Sequence, residues 1–144
     1  MDTLTAIFEK DFVEQLLPQK FPFVMVDKMF SYTETSLVSG LKITDDNIFF
    51  KDGFFVESGL VEHMAQSVAL HTGYQFFLRK EEAPTGYIGS IKDIVIGVLP
   101  KLGEEIQTTV NILQEFAGIT LVEVSTILNS IEIASGQMKT VLAK

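Results

Sequence analysis

Cysteine is absent from the 144-residue sequence. Its absence excludes disulfide bonds, thiolate metal sites and cysteine nucleophiles. The residues after Met1 also lack a basic segment followed by an apolar run, which is the pattern of a secretory signal peptide. A protein without cysteines is compatible with a reducing compartment, and we predict a cytoplasmic location.

Uninterrupted apolar runs of membrane-spanning length are missing as well. The longest apolar stretch, residues 59–78, is interrupted by Glu62, His63, Gln66, His71 and Gln75. A membrane-spanning helix needs about 20 predominantly apolar residues in succession. We therefore predict a buried helix at these residues and no membrane span.

Basic residues are scarce. The sequence has 11 lysines and arginines against 19 acidic residues, which gives a net charge of −8, and Arg79 and Lys80 are the only adjacent basic pair. Binding to the phosphates of a nucleic acid requires a concentrated basic face. Nucleic acid is therefore not an expected partner.

The order of the predicted elements indicates a single α+β domain over residues 1–144. Hydrophobic periodicity predicts a short helix, two strands, a long helix and four further strands, at residues 9–17, 23–33, 36–44, 59–78, 87–98, 105–116, 120–130 and 131–143. A turn is predicted near Ser135 and Gly136. Because one helix cannot cover both faces of so long a sheet, we expect the sheet to curve around the helix.

Polar side chains form a stripe along the predicted long helix. At about 100° per residue, Gly59, Glu62 and Gln66 lie on one side, with His63 at the margin. The opposite side carries Leu60, Val61, Met64, Ala65, Val68 and Thr72. A solvated face is the ordinary explanation of such a pattern, but this stripe carries glycines and a glutamine in place of lysines.

The stripe also contains an acid or base, a possible backbone donor and an amide. Glu62, predicted in the first turn, lies near the positive end of the helix dipole and can act as an acid or a base. Free N–H groups around Gly59 can bind the oxyanion of a polarised thioester carbonyl, and a glycine permits close approach of a ligand. Gln66 can orient either group. We therefore predict a site formed by Glu62, Gln66 and Gly59.

Four segments of the sequence together resemble one enzyme family. They are LLPQKFPFVMVDKM (16–29), EHMAQSVA (62–69), residues 88–106 with the sequence VLPKLGEE near their end, and QEFAGITLVEVSTILNSIEIASGQM (114–138). In this order they resemble the bacterial 3-hydroxyacyl-acyl carrier protein dehydratases over nearly the whole chain. More narrowly, GLVEHMAQSVALHTGY (59–74) resembles the dehydratase-like proteins of aryl-polyene and flexirubin-type pigment pathways.

The resemblance implies a hotdog fold, in which a curved antiparallel sheet wraps one long central helix. It also implies a homodimer, or a heterodimer with another hotdog subunit. The expected ligand is an acyl thioester on acyl carrier protein or coenzyme A, in fatty-acid or polyene biosynthesis. No cofactor is expected, and neither the histidine spacing nor any carboxylate cluster indicates a metal site.

Dehydration in that family uses two residues. A histidine from a G-H-F-P segment removes the α-proton of the substrate, and a helix carboxylate protonates the departing hydroxyl. The resemblance assigns the carboxylate to Glu62 and the accompanying glutamine to Gln66. The histidine has no counterpart, because the sequence is GFFV at residues 53–56. We therefore expect impaired dehydratase activity from this chain alone.

Other positions leave two interpretations open. His63 is either a hydrogen-bonded structural residue or a replacement for the missing base. Phe54 and Phe55 either pack in the core or a dimer interface, or bind substrate by lining an acyl tunnel. Gln19 stands where the family usually has a histidine, although that position is not the proposed base.

Three functions fit these residues. The first is a dehydratase acting on 3-hydroxyacyl thioesters, alone or with help from another subunit. The second is a non-catalytic partner that stabilises an active dehydratase or holds an acyl chain. The third is a hotdog thioesterase, in which Glu62 attacks the substrate or activates water and helix N–H groups bind the oxyanion.

Overall fold

The computed structural model of the chain describes residues 5–143. Two helices are present in this part of the chain, α1 (Lys10–Leu16) and α2 (Glu57–Leu78). The strands are β1 (Lys28–Thr33), β2 (Ser36–Lys42), β3 (Phe50–Lys51), β4 (Phe54–Phe55), β5 (Gly86–Ile96), β6 (Glu105–Phe116), β7 (Ile119–Leu128) and β8 (Ile131–Leu142).

Six strands form one antiparallel sheet in the order β1-β2-β6-β7-β8-β5. The remaining two, β3 and β4, form a small hairpin immediately before α2. Apolar residues in register cross the middle of the large sheet, since Leu37 pairs with Val110 and Val110 pairs with Val124. All three side chains are buried, so this row forms the sheet side of the core.

Helix α2 supplies the other side of the core. It contacts β2, β6, β7 and the edge strand β5. Because these contacts extend to the far edge of the sheet, the sheet curves around the helix, and the predicted architecture is confirmed. Leu60, Met64 and Val68 point into this core, where complete burial of such a side chain contributes about 1.5–3 kcal/mol. Neither α1 nor α2 is long and apolar enough to cross a membrane.

Two element boundaries differ from the prediction at the amino-terminal side. The first long strand begins at Lys28 and not at residue 23. The reason is that the carbonyl oxygen of Phe23 and the backbone N–H of Met25 are hydrogen-bonded to the side chain of Gln66. Helix α2 begins at Glu57, two residues before the predicted start. Glu62 therefore lies in the second turn of the helix and not in the first.

The predicted turn near Ser135 and Gly136 is wrong. These residues pair with Ser125 and Val124 inside the β7–β8 ladder. The chain reverses at Asn129 and Ser130, which both have positive φ values of 52° and 66°. Asparagine tolerates this left-handed backbone better than most residues do.

The predicted division of the long helix into one polar and one apolar face is also wrong. Polar residues that include His63, Gln66, Ser67 and His71 are buried. They are satisfied by hydrogen bonds to other elements, such as the 2.7 Å contact between the hydroxyls of Ser67 and Ser39. The sheet, α1 and the segment after α1 surround much of the helix, so these four polar residues of α2 are buried and the remaining ones are partly or fully exposed.

Candidate active site

Glu62 lines a cavity of about 360 Å³ beside α2. One face of the helix forms its floor, with Ala65, Ala69 and Gly73 following Glu62 at intervals of three and four residues. Small side chains at these positions leave the space open. The walls come from residues 15–19 after α1, residues 83–88 at the start of β5, and Thr140 and Leu142 of β8.

Gly73 explains how the wall at residues 15–19 is positioned. A side chain at this position would collide with the backbone carbonyl of Leu16. The absence of a side chain lets the end of α1 lie directly on α2. The following residues, Pro18 and Gln19, are thereby placed along the cavity that Glu62 lines.

Gln66 lies one turn below Glu62 and holds its carboxylate. The Gln66 Nε2 group donates to Glu62 Oε2 at 2.7 Å and to the carbonyl oxygen of Phe23 at 2.8 Å. Its Oε1 accepts from the backbone N–H of Met25 at 2.7 Å. Because the backbone groups fix which end donates and which accepts, the amide has one orientation.

The carboxylate of Glu62 is consequently asymmetric. Oε2 is occupied by Gln66, whereas Oε1 has no hydrogen-bond partner within residues 5–143. Gln66 does not line the cavity itself and is almost completely buried. It therefore holds one carboxylate oxygen of Glu62, and the other carboxylate oxygen has no protein partner among the described residues.

His63 is placed away from this cavity. It is completely buried, and its Nδ1 donates to the carbonyl oxygen of Met25 at 2.7 Å. Its Nε2 lies 2.8 Å from the hydroxyl of Thr108, which is 2.6 Å from the hydroxyl of Thr126. Burial lowers the pKa of His63 from 6.5 to about 4, so the ring is neutral and Nε2 accepts from Thr108.

This environment favours the interpretation of His63 as a hydrogen-bonded structural residue over that of a replacement base. Both ring nitrogens have protein partners, and the residue does not line the cavity at Glu62. His71 is held similarly, with Nε2 donating to the Thr33 carbonyl at 2.9 Å and the ring stacked on Tyr32. Burial lowers the pKa of His71 as well. Across residues 5–143, no group of three or more His, Cys, Asp or Glu side chains is arranged to hold a metal ion.

The predicted ligand-binding residues before the helix lie elsewhere. Phe55 is a fully buried core residue. Phe54 is 39% exposed, and its backbone bridges to Lys101. Gly59 accommodates aromatic packing, since a Cβ there would lie 2.6 Å from Phe55 Cε1 and 2.7 Å from Phe49 Cβ. None of the predicted set Gly59, Phe54 and Phe55 lines the cavity at Glu62.

The predicted oxyanion donor at Gly59 is also already used. Its backbone N–H donates to the carbonyl oxygen of Val56 at 2.9 Å. The amide is therefore not free to receive a substrate oxygen, and Gly59 serves packing in this chain.

Two features of the site were not found from the sequence. A smaller cavity of about 80 Å³ adjoins the first and shares Val68, Thr72, Thr140 and Leu142 with it. Gln19 lines the larger cavity, and its Oε1 is buried without a hydrogen-bond partner among the described residues. The departure of Gln19 from the family pattern was the only sequence signal pointing to it.

The large cavity extends to the free edge of the sheet, because Tyr87 and Ile88 of β5 contribute to its wall. Strand β5 pairs with β8 on one side and has no strand on the other within residues 5–143. Several of its apolar side chains are exposed, among them Tyr87 at 60% and Val95 at 62%. An exposed apolar edge strand is a surface that proteins normally cover.

Comparisons with known proteins agree on the family. Residues 12–141 match the model of the ApeP-like family, which is described as ApeP dehydratase. The chain is 26% identical over 133 residues to the 3-hydroxyacyl-[acyl-carrier-protein] dehydratase FabZ of Vibrio cholerae, and the match covers 88% of this chain and 86% of that protein.

Solved structures show the same fold. A chain of the dehydratase heterocomplex ApeI:P from Xenorhabdus doucetiae superposes with a TM-score of 0.84 at 17% identity, covering 92% of this chain and 91% of that one. A Streptococcus mutans protein bound to acetyl-CoA superposes with a TM-score of 0.68 at 14% identity, covering 88% and 95%. The chain therefore has a hotdog fold and belongs to the ApeP-like dehydratase family.

Proposed function

We propose that this chain supplies Glu62 to a dehydratase site for 3-hydroxyacyl thioesters, and that a second hotdog subunit supplies the histidine. One observation carries the proposal. Glu62 is held by Gln66 at the wall of the larger cavity, which neither His63 nor His71 lines. His71 lines only the smaller adjoining cavity, and its Nε2 donates to the carbonyl oxygen of Thr33. The chain thus presents an anchored acid without a base.

The chemistry is a β-elimination. The base takes the proton from C2 of the acyl chain, and the electron pair of that bond forms the C2–C3 double bond. The C3–O bond breaks, and the departing hydroxyl takes a proton from Glu62 to leave as water. The loss of a general base lowers such a rate by about 10²- to 10⁴-fold, so the chain alone is expected to be a poor catalyst.

The two adjoining cavities give the acyl chain a place to lie. Beyond Glu62 the lining is largely small and apolar, with Ala65, Val68, Ala69 and Leu142. An apolar cavity with a few polar groups at one position is typical of a site for a ligand with a long hydrocarbon part. The smaller cavity behind Val68 and Thr72 extends the path for the chain.

The edge strand β5 is the proposed surface for the second subunit. It is exposed, apolar and continuous with the wall of the cavity, so a subunit paired along it would place residues near Glu62. The similarity to a chain of a complex titled as a dehydratase heterocomplex supports a heterodimer. A homodimer uses the same edge but provides two copies of Glu62 and no histidine base.

The proposed carrier is acyl carrier protein, and coenzyme A is the alternative. The relative from Vibrio cholerae is named for an acyl-carrier-protein substrate, whereas the Streptococcus mutans neighbour was solved with acetyl-CoA. We place the reaction in cytoplasmic fatty-acid or polyene biosynthesis, since residues 59–74 resemble the proteins of aryl-polyene pathways and each elimination introduces one double bond.

Co-expression tests the shared site. The chain is produced together with a hotdog dehydratase that has the histidine base, and the helix carboxylate of that dehydratase is replaced by alanine. We expect the complex to dehydrate 3-hydroxyacyl thioesters with wild-type Glu62 and to lose at least 100-fold in rate with Glu62→Ala. Glu57→Ala is the matched control, since Glu57 is an exposed glutamate on the same helix. A complex whose rate is indifferent to Glu62 would show that the chain is a scaffold.

A thioesterase remains the second candidate, because Glu62 alone can activate water in this cavity. Its proposed oxyanion donor is missing at Gly59, whose N–H is bonded to Val56. Offering 3-hydroxyacyl and saturated acyl thioesters to the same complex separates the two reactions. Elimination yields an enoyl thioester from the first substrate only, whereas hydrolysis releases a free thiol from both.

A further inference from the structure

Gln19 has a buried acceptor without a donor. Its Oε1 has no hydrogen-bond partner among residues 5–143. Leaving a buried acceptor unpaired is unfavourable, and such groups are uncommon in folded proteins. Gln19 also lines the cavity that contains Glu62. Because Oε1 itself is inaccessible, Gln19 lines the cavity with its other atoms, and a rotation of its amide towards a ligand that brings a donor would satisfy the oxygen.

The elimination requires such an acceptor. The departing hydroxyl receives the proton of Glu62 on a lone pair of its oxygen. Its own O–H hydrogen must therefore be hydrogen-bonded to a different group, which acts as the acceptor. Gln66 cannot accept it, because its Oε1 is bonded to the Met25 N–H and it lies outside the cavity. Gln15 also lines the cavity, but it is exposed and open to water.

We propose that Gln19 binds the 3-hydroxyl group of the substrate by accepting its hydrogen bond through Oε1. The terminal amide torsion of glutamine is broad, so a rotation brings the oxygen to the cavity. During the elimination the hydroxyl keeps its own hydrogen, which is hydrogen-bonded to Gln19 Oε1, and receives a second hydrogen from Glu62. The departing water contains both hydrogens. Gln19 would thereby distinguish 3-hydroxyacyl chains from saturated or unsaturated chains of the same length.

This inference rests on the proposed dehydratase function, and one assay separates the two. The complex contains the wild-type chain and the partner dehydratase without its own carboxylate, so that turnover depends on Glu62. In this complex we compare Gln19→Met, which keeps the length of the side chain but removes the acceptor, with Gln114→Met as the matched control, since Gln114 is an exposed glutamine on β6 that lines neither cavity. The readouts are kcat/KM for a 3-hydroxyacyl thioester and the inhibition constant of the saturated acyl thioester.

We expect Gln19→Met to lower kcat/KM about tenfold, which is the size of one lost hydrogen bond to a substrate hydroxyl. Inhibition by the saturated thioester is expected to stay within about twofold, because that ligand has no hydroxyl. Gln114→Met should change neither value. If kcat/KM is unchanged in Gln19→Met, or if both values fall together, the inference is wrong. An inactive wild-type complex would instead contradict the proposed function.

Stability provides an independent check. Because Gln19→Met removes an unsatisfied acceptor, we expect a melting temperature equal to or above that of the wild type. A clear fall in melting temperature would show that Oε1 has a partner in the protein and would overturn the inference. If Gln19→Met cannot be purified, Gln19→Leu removes the same acceptor with a side chain of different shape. The same changes in kcat/KM and in the inhibition constant are expected for it.

Discussion

Glu62 and His63 are adjacent in the sequence, yet their side chains lie in opposite kinds of environment. Glu62 lines a cavity and has one carboxylate oxygen bound by Gln66, while the other has no partner in the described chain. His63 is completely buried, and both of its nitrogens are bonded to the protein. A polar residue of α2 is suited to chemistry when it lies at a cavity and has a hydrogen-bonding group that no protein atom uses. A polar residue whose hydrogen-bonding groups are all bonded within the protein contributes to stability instead.

The largest effect predicted from this comparison is on His63→Ala. Removing the ring leaves a void and deprives the buried Met25 carbonyl and Thr108 hydroxyl of their partners. We expect a loss of about 4 kcal/mol in the free energy of unfolding, measured by urea titration. Glu62→Ala serves as the control and should lose about 1 kcal/mol, since Gln66 Nε2 keeps its hydrogen bond to the carbonyl oxygen of Phe23. Similar losses for both variants would abolish the distinction between the two environments.

Gln66→Met sharpens the comparison, because Gln66 belongs to both environments. The variant leaves the Met25 N–H and the Phe23 carbonyl unpaired, and we expect a loss of about 3 kcal/mol in the free energy of unfolding. It also frees the carboxylate of Glu62, so the rate of the folded complex should fall about tenfold. Gln75→Met, on the carboxyl-terminal half of the same helix, should change stability by less than about 0.5 kcal/mol. A stable and fully active Gln66→Met protein would show that Glu62 needs no anchor.

Acid provides a smaller perturbation of the same buried network. The pKa of His63 is about 4 in the folded chain and near 6.5 in the unfolded one, so the unfolded state binds more protons between these values. Stability from this group is complete above about pH 6.5 and is lost as the pH falls towards 4. We expect the free energy of unfolding to be about 2 kcal/mol lower at pH 5 than at pH 7.

The control for this pH dependence is His63→Gln, which should remove most of it. His71 contributes in the same direction, because burial lowers its pKa too, and His71→Gln measures its share. An unchanged pH dependence in His63→Gln would mean that His63 is not the neutral, buried group that the structure shows.

Much of the fold could be predicted from the sequence. Period-two apolar residues mark the four long carboxyl-terminal elements as strands, and the long apolar segment marks α2. The site was predicted only as far as Glu62 and Gln66, whose spacing of four residues places them one above the other on a helix. Their relation to a cavity depends on packing that no local pattern contains.

The rest depends on contacts between distant parts of the chain. His63 is recognised as a structural residue only through Met25 and Thr108, which are 38 and 45 positions away. The role of Gly59 depends on the packing of Phe55 and Phe49 against it. A glycine without these neighbours would leave space for a ligand. Gln19 becomes notable only when its oxygen is found without a partner.

The central claim is that Glu62 carries the chemistry and His63 carries the stability. The most direct test measures turnover of a 3-hydroxyacyl thioester per folded complex, with the partner dehydratase lacking its own carboxylate, for Glu62→Gln and His63→Gln at a temperature where both are folded. The account predicts a loss of at least 100-fold for Glu62→Gln and less than about threefold for His63→Gln. Turnover abolished by His63→Gln but retained by Glu62→Gln would contradict it.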